Sequence, residues 1–189
     1  MKLGGDFFSE RLQLSRWVTP AQNRKIPVYR WYNLNHSFSR DLVIYLLKEL
    51  GLTKGSIVLD PFCGAGTTLM AAEEAGVNSL GLDMMPLSVF VSRGKMLEFS
   101  QAKAASDYGE IYPSRQYEFD FESAEPYLQK CFPPEQLTKL LWLRYTISQM
   151  PDPERSFFAI ALLNILRPLS YTKNDGALSD LLKTLSHPH

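Results

Sequence analysis

Cysteine is scarce in this chain: Cys63 and Cys131 are the only two in 189 residues, too few for a disulfide framework or a multi-thiolate metal site. Neither sign of charge is in excess, because 20 basic and 20 acidic side chains cancel. Phosphate neutralisation supplies most non-specific nucleic-acid affinity, so the chain as a whole does not advertise a polyanion partner, although a local basic face stays open. No apolar run approaches the length of a membrane span, and no basic-then-apolar leader opens the chain. Internal repeats and low-complexity tracts are missing as well. These absences leave a soluble protein of a reducing compartment, the cytoplasm, as the expectation. What is there is an ordinary globular balance of 45% hydrophobic and 21% charged residues, with length enough for one sizeable core.

Residues 1–35 read as an irregular arm in which Arg11, Arg16, Arg24, Lys25 and Arg30 are interleaved with Trp17, Tyr29, Trp31 and Tyr32. Such a mixture can grip nucleic acid by charge and stacking; equally, its aromatics can pack on the core while the charges stay wet. The run "SRDLVIYLLKEL" places Leu42, Val43, Leu46, Leu47 and Leu50 at helical spacing, with Ser39 as N-cap and Gly51 as stop. "GSIVLD" is short, apolar and β-branched, which predicts a buried strand. Thr67–Ala75 then reads as a helix, Asn78–Asp83 as a second strand, and Pro86 to Phe99 as a second helix. Strand and helix alternating over short links predict a parallel sheet. Residues 101–133 carry weak periodicity, and "PEQLTKLLWLRYTISQM" and "PERSFFAIALLNILRPL" predict two further helices, each with proline at its first turn.

The most informative run is "VLDPFCGAGTT", Val58 to Thr68. In a parallel sheet, ligands sit outside the carboxyl ends of the strands, where Asp60 lies. Gly64 and Gly66 permit a tight turn and close backbone approach. Thr67 and Thr68 open a helix whose free N–H groups favour an anionic group. A carboxylate for a cation beside a helix N-terminus for an anion suits a zwitterionic amino-acid moiety better than a pyrophosphate. The phosphate loops match poorly: no lysine follows Gly66, and Leu69 stands where a dinucleotide fingerprint needs its third glycine. Asp83 ends the second strand, placed to reach ribose hydroxyls, and Met84 or Met85 could cover an adenine face. The implied ligand is S-adenosyl-L-methionine. Cys63, in the same turn, is read as a packing residue.

"DPFCGAGTT" together with "GLDMMPLSV" resembles the cofactor-binding half of the DNA amino-methyltransferases, which methylate adenine N6 or cytosine N4. "WYNLNHSFSRDLV" is similar to the motif that precedes this loop in the circularly arranged members. The resemblance implies an incomplete Rossmann-like α/β methyltransferase sheet, an S-adenosyl-L-methionine-binding core over 36–100 and a mainly helical spacer over 101–189. By position, it implies that His36, Ser37 and Phe38 line the methionine end of the cofactor. Asp60 would take the amino group, with Phe62, Gly64, Gly66, Thr67 and Thr68 shaping the pocket, Asp83 on the ribose and Met84 beside it. DNA is the implied partner of the complete enzyme. No metal is expected.

The same family orients its target amino group with an Asp/Asn/Ser-Pro-Pro-aromatic motif, expected downstream of Asp83. The only Pro-Pro here is "CFPPEQ", flanked by Phe132 and Glu135, and it reads as a helix start. No catalytic residue is therefore assigned within the chain. A fragment, a truncated gene product and one half of a split enzyme all remain open, the last with a catalytic partner subunit or a homodimer. So does a non-catalytic module that binds the cofactor or nucleic acid.

Overall fold

A computed structural model describes residues 12–34, 36–111 and 119–171. Parts of the expected arm and spacer (residues 1–11, 112–118 and 172–189) lie outside the described residues. The chain divides into two compact units, Met1–Met96 and Leu97–His189.

Among its described residues the first unit opens with three 3-10 turns, Leu12–Trp17, Gln22–Lys25 and Tyr29–Trp31. Helix α1, Arg40–Glu49, starts where Ser39 Oγ accepts the Leu42 N–H at 3.4 Å, the expected N-cap. It stops at Gly51, whose φ of 63° is left-handed and therefore suited to glycine. Strand β1, Ile57–Asp60, pairs in parallel with β2, Asn78–Gly81, in a register that sets Leu59 beside Leu80 and Asp60 beside Gly81. Helix α2, Thr67–Glu74, crosses between them, and α3, Pro86–Lys95, follows β2. Val43 and Leu47 of α1 meet Ala71, Ala72 and Val77 in one cluster, with Phe38, Ile44, Leu52 and Val58 packed against it. Each such burial of a large aliphatic side chain is worth about 1.5–3 kcal/mol.

Two expectations need correcting here. β1 was expected to be buried, yet Ile57 and Leu59 are 73% and 58% exposed, as are Leu80 at 56% and Leu82 at 54%. Side chains alternate across a strand, so Val58 faces the helices while Ile57 and Leu59 face the other way, where the described residues provide no cover. The apolar run is the signature of a strand meant for burial on both faces. Both strands are also shorter than expected. Gly55, at φ 98°, still belongs to the turn before β1. After β2 the bonding pattern passes into the loop, with Leu82 N–H donating to Asp60 O and Cys63 N–H donating to Leu82 O, both at 2.9 Å.

The described residues of the second unit form helices α4 Gln101–Ile111, α5 Pro126–Cys131, α6 Pro134–Ser148 and α7 Glu154–Leu169. Leu137 and Leu140 of α6 and Ile160, Leu163 and Leu166 of α7 are fully buried. Buried Glu154 pairs with Lys103 Nζ at 2.9 Å, and Phe99 stacks on Phe157 at 4.2 Å between centroids. α6 opens with Pro134 as predicted, whereas Pro153 caps α7 from just outside it. Helices α4 and α5 fall in the stretch of weak periodicity. α4 buries Ala104 and Ile111, too few apolar positions to write a helical stripe.

Candidate cofactor site

The glycine turn joins β1 to α2 at the carboxyl edge of the sheet. Gly64 and Gly66 take φ of 51° and 84°, left-handed values that a side chain would strain. Gly66 N–H closes the turn on Cys63 O at 2.8 Å. The two glycines serve different ends. A Cβ on Gly64 would meet Leu34 Cδ1 at 3.4 Å and Phe62 O at 4.0 Å, ordinary van der Waals contacts, so only the left-handed backbone requires glycine there. A Cβ on Gly66 would lie 3.0 Å from Ser92 Cβ and 3.2 Å from Ser92 Cα, so this glycine admits α3 against the turn.

Asp60 is half-buried and its Oδ1 accepts the Phe62 N–H at 3.1 Å. Asp83 lies beyond the end of β2, in the turn that follows it. Its Oδ2 accepts the Gly64 N–H at 2.9 Å and its Oδ1 the Met85 N–H at 2.8 Å, so one carboxylate ties the first turn to the second. A carboxylate offers about four acceptor sites, and capacity for a further donor remains. Ser37 Oγ lies 3.4 Å from Thr67 Oγ1, which brings the segment before α1 to the start of α2. Thr67 and Thr68 are buried, His36 is exposed, and Phe38 packs on the α1–α2 core. Phe62 at 80% and Met84 at 94% exposed stand out from the two turns, with Met85 exposed beside them.

Four residues in this architecture escaped sequence reasoning. Ser92 abuts Gly66 and accepts a long contact of 3.9 Å from the Cys63 thiol. Burial is the main cause that pushes this thiol's pKa up, as befits a packing residue rather than a nucleophile. A Cβ on Gly81 would lie 2.8 Å from Leu69 Cδ1 and 2.9 Å from Cys63 Cβ, so the strand approaches the turn only because position 81 has no side chain. Lys95, buried at the end of α3, donates to Tyr29 O at 3.1 Å and Tyr32 O at 2.7 Å. Asn23 bridges likewise, donating to Phe38 O at 2.9 Å and accepting the Arg40 N–H at 2.8 Å. A glycine inside an apolar strand was the signal available for Gly81; the two bridging side chains leave none.

A small parallel sheet flanked by helices, its glycine turn fastened to a second acidic turn, defines an α/β protein. Residues 9–89 match the DNA methylase family of N6/N4 methyltransferases. The chain is 32% identical over 167 residues to the Type II methyltransferase M.BsoBI of Geobacillus stearothermophilus, covering 84% of this chain and 32% of that protein. It is 29% identical over 170 residues to the Type II methyltransferase M.AvaI of Nostoc sp., covering 86% and 35%. A shorter match, 38% over 66 residues, links it to the Type II methyltransferase M.MjaII of Methanocaldococcus jannaschii, covering 35% of this chain and 12% of that protein. The chain belongs to the DNA methylase family. It spans about a third of the length of M.BsoBI and M.AvaI. No solved structure matches it. Among the described residues no helix is long and apolar enough to cross a membrane, and no cluster could hold a metal ion.

Proposed function

We propose that this chain is the S-adenosyl-L-methionine-binding part of a DNA methyltransferase that acts on the exocyclic amino group of adenine or cytosine. One observation carries the reading: Asp83 binds the amide of Gly64, so the acidic turn and the glycine turn form one unit. The residues fit the cofactor. Asp60 would hold its amino group beside the left-handed turn at Gly64. The start of α2, with Thr67 and Thr68, would face its carboxylate. Asp83 would take the ribose hydroxyls, with Met84, Met85 and Phe62 as exposed apolar surface for the adenine. His36, Ser37 and Phe38 would close the methionine end, although Phe38 does so from a position already packed on the core. When bound, the cofactor supplies an electrophilic methyl group on a sulfonium. This chain's own residues bind and orient it; no acceptor for an amino proton stands in a Pro-Pro-aromatic setting. On this reading the chain alone is inactive, and residues 101–189 act as spacer.

Titration calorimetry with S-adenosyl-L-methionine tests the proposal. The folded chain binds and Asp60→Ala loses at least tenfold in affinity; no heat at high micromolar cofactor overturns it. The absent Pro-Pro-aromatic motif also supports a second reading, a subunit of a split methyltransferase or a non-catalytic module. Methyl transfer to duplex DNA by the chain alone would eliminate both inactive readings.

A further inference from the structure

Charge is balanced over the whole chain but not along it. From Arg11 to Arg40 there are six basic residues (Arg11, Arg16, Arg24, Lys25, Arg30 and Arg40) and neither aspartate nor glutamate, so the remainder is correspondingly acidic. Arg40 pairs with Glu74 and Asp41. Arg16, Arg24, Lys25 and Arg30 are exposed and form no ion pair among the described residues. In the second unit, by contrast, Lys103, Lys139 and Arg155 each meet a carboxylate. Unpaired, like-signed charges that repel one another persist on a surface at a cost in stability; a polyanion would offset it.

These cations stand on a fastened backbone. Arg24 and Lys25 follow Asn23, whose side chain bonds Phe38 O and the Arg40 N–H. Arg30 lies between Tyr29 and Tyr32, both held through their carbonyls by buried Lys95. Arg16 sits 5.5 Å from the Trp17 ring centroid, and Trp17 O accepts the Ser39 N–H at 2.8 Å. A segment held at three points loses little freedom when a ligand docks on it. The same segment delivers Ser37 to Thr67 at the candidate cofactor turn.

We infer that the acid-free segment 12–40 is a phosphate-contacting face for duplex DNA, set beside the cofactor turn. The inference rests on the proposed function only for the choice of DNA as the polyanion. Its contacts are to the backbone and carry no sequence preference.

Fluorescence anisotropy with a labelled duplex, using the full chain over a salt series, tests it. The chain binds at low salt, and the logarithm of affinity falls with the logarithm of salt at about 0.9 per phosphate contacted. The triple variant Arg24→Gln, Lys25→Gln, Arg30→Gln loses at least tenfold in low-salt affinity and lowers that slope by about 2–3. The control Lys48→Gln, Lys54→Gln, two exposed lysines outside the segment, changes neither. No DNA binding by the folded chain overturns the inference. So does an unaltered slope in the triple variant, or an equal loss in the control. Calorimetry separates this outcome from the previous proposal: the triple variant keeps its cofactor affinity, and a chain that binds DNA but no cofactor refutes the cofactor reading alone.

Discussion

The two units of this chain hold their shape by different means. The second, Leu97–His189, is built on side chains, with Leu137, Leu140, Ile160, Leu163 and Leu166 fully buried between α6 and α7. The first owes its ordered turns to backbone: positive-φ glycines, carboxylates that accept amide protons, and a lysine that donates to two carbonyls. It leaves three large aliphatic residues of its sheet exposed, and Leu82 just beyond it. A helical layer satisfies most of its backbone groups within each helix and spends its apolar residues on packing. On the proposed function, the turns of the first unit present backbone groups to a cofactor, and geometry replaces bulk there.

That contrast can be broken at several points. Leu163→Ala removes a fully buried side chain and should cost about 2–5 kcal/mol, read as a fall in the denaturation midpoint monitored by helical circular dichroism. An effect under half that would show α6–α7 packing to be less decisive than its burial suggests. Gly81→Ala forces a Cβ to within 3.0 Å of Leu69 and Cys63, an overpacking expected to cost about 1–3 kcal/mol. It should weaken cofactor binding as well, because the displaced Cys63 lies in the turn; a neutral result would mean that the turn gives way freely.

Lys95 gives a pH-dependent test. Burial pushes its pKa down to about 8 from the ordinary 10.5, so above pH 8 the unfolded chain binds more protons at this site than the folded one. Stability from this residue must therefore rise between pH 8 and 9, by about 1 kcal/mol. Burial raises the pKa of Tyr29, Tyr32 and Cys63; these groups keep protons in the fold and oppose the rise at higher pH. Comparison with Lys95→Met, which should lack the rise, isolates the lysine. The smallest effect belongs to the bare sheet face: Ile57→Thr, at a position 73% exposed, should change stability by no more than about 0.5 kcal/mol. A larger loss in the chemical melt would mean that this face is covered in solution.

Much of this was legible from residue types whose local requirements are strong. Ser39 as cap, Gly51 as stop and the glycines of the turn all follow from short-range stereochemistry. Helices α6 and α7 were legible from the prolines that open them. Helices α4 and α5 were not, since a helix that buries few side chains carries little periodicity. Gly66 was foreseen as a residue that lets a ligand approach, and its neighbour proves to be Ser92 of α3. The anchors Asn23 and Lys95 were invisible because their partners are carbonyls and amides, which every residue possesses. The buried strand was misjudged for a related reason: sequence records what a strand is suited to meet, whether or not that surface is there.

Leu59 and Leu80 lie side by side on that open face, between strands of four residues each. Water wets such a patch at a cost of about 25 cal/mol per Å2, and among the described residues no third strand pairs with the outer edges of β1 and β2. The solubility of this chain is therefore a matter of concentration and timing. Whatever covers the face first, whether a folding helper, another protein or a second copy, decides between orderly assembly and precipitation. Two neighbouring leucines thus bear on how much of this protein a solution can carry.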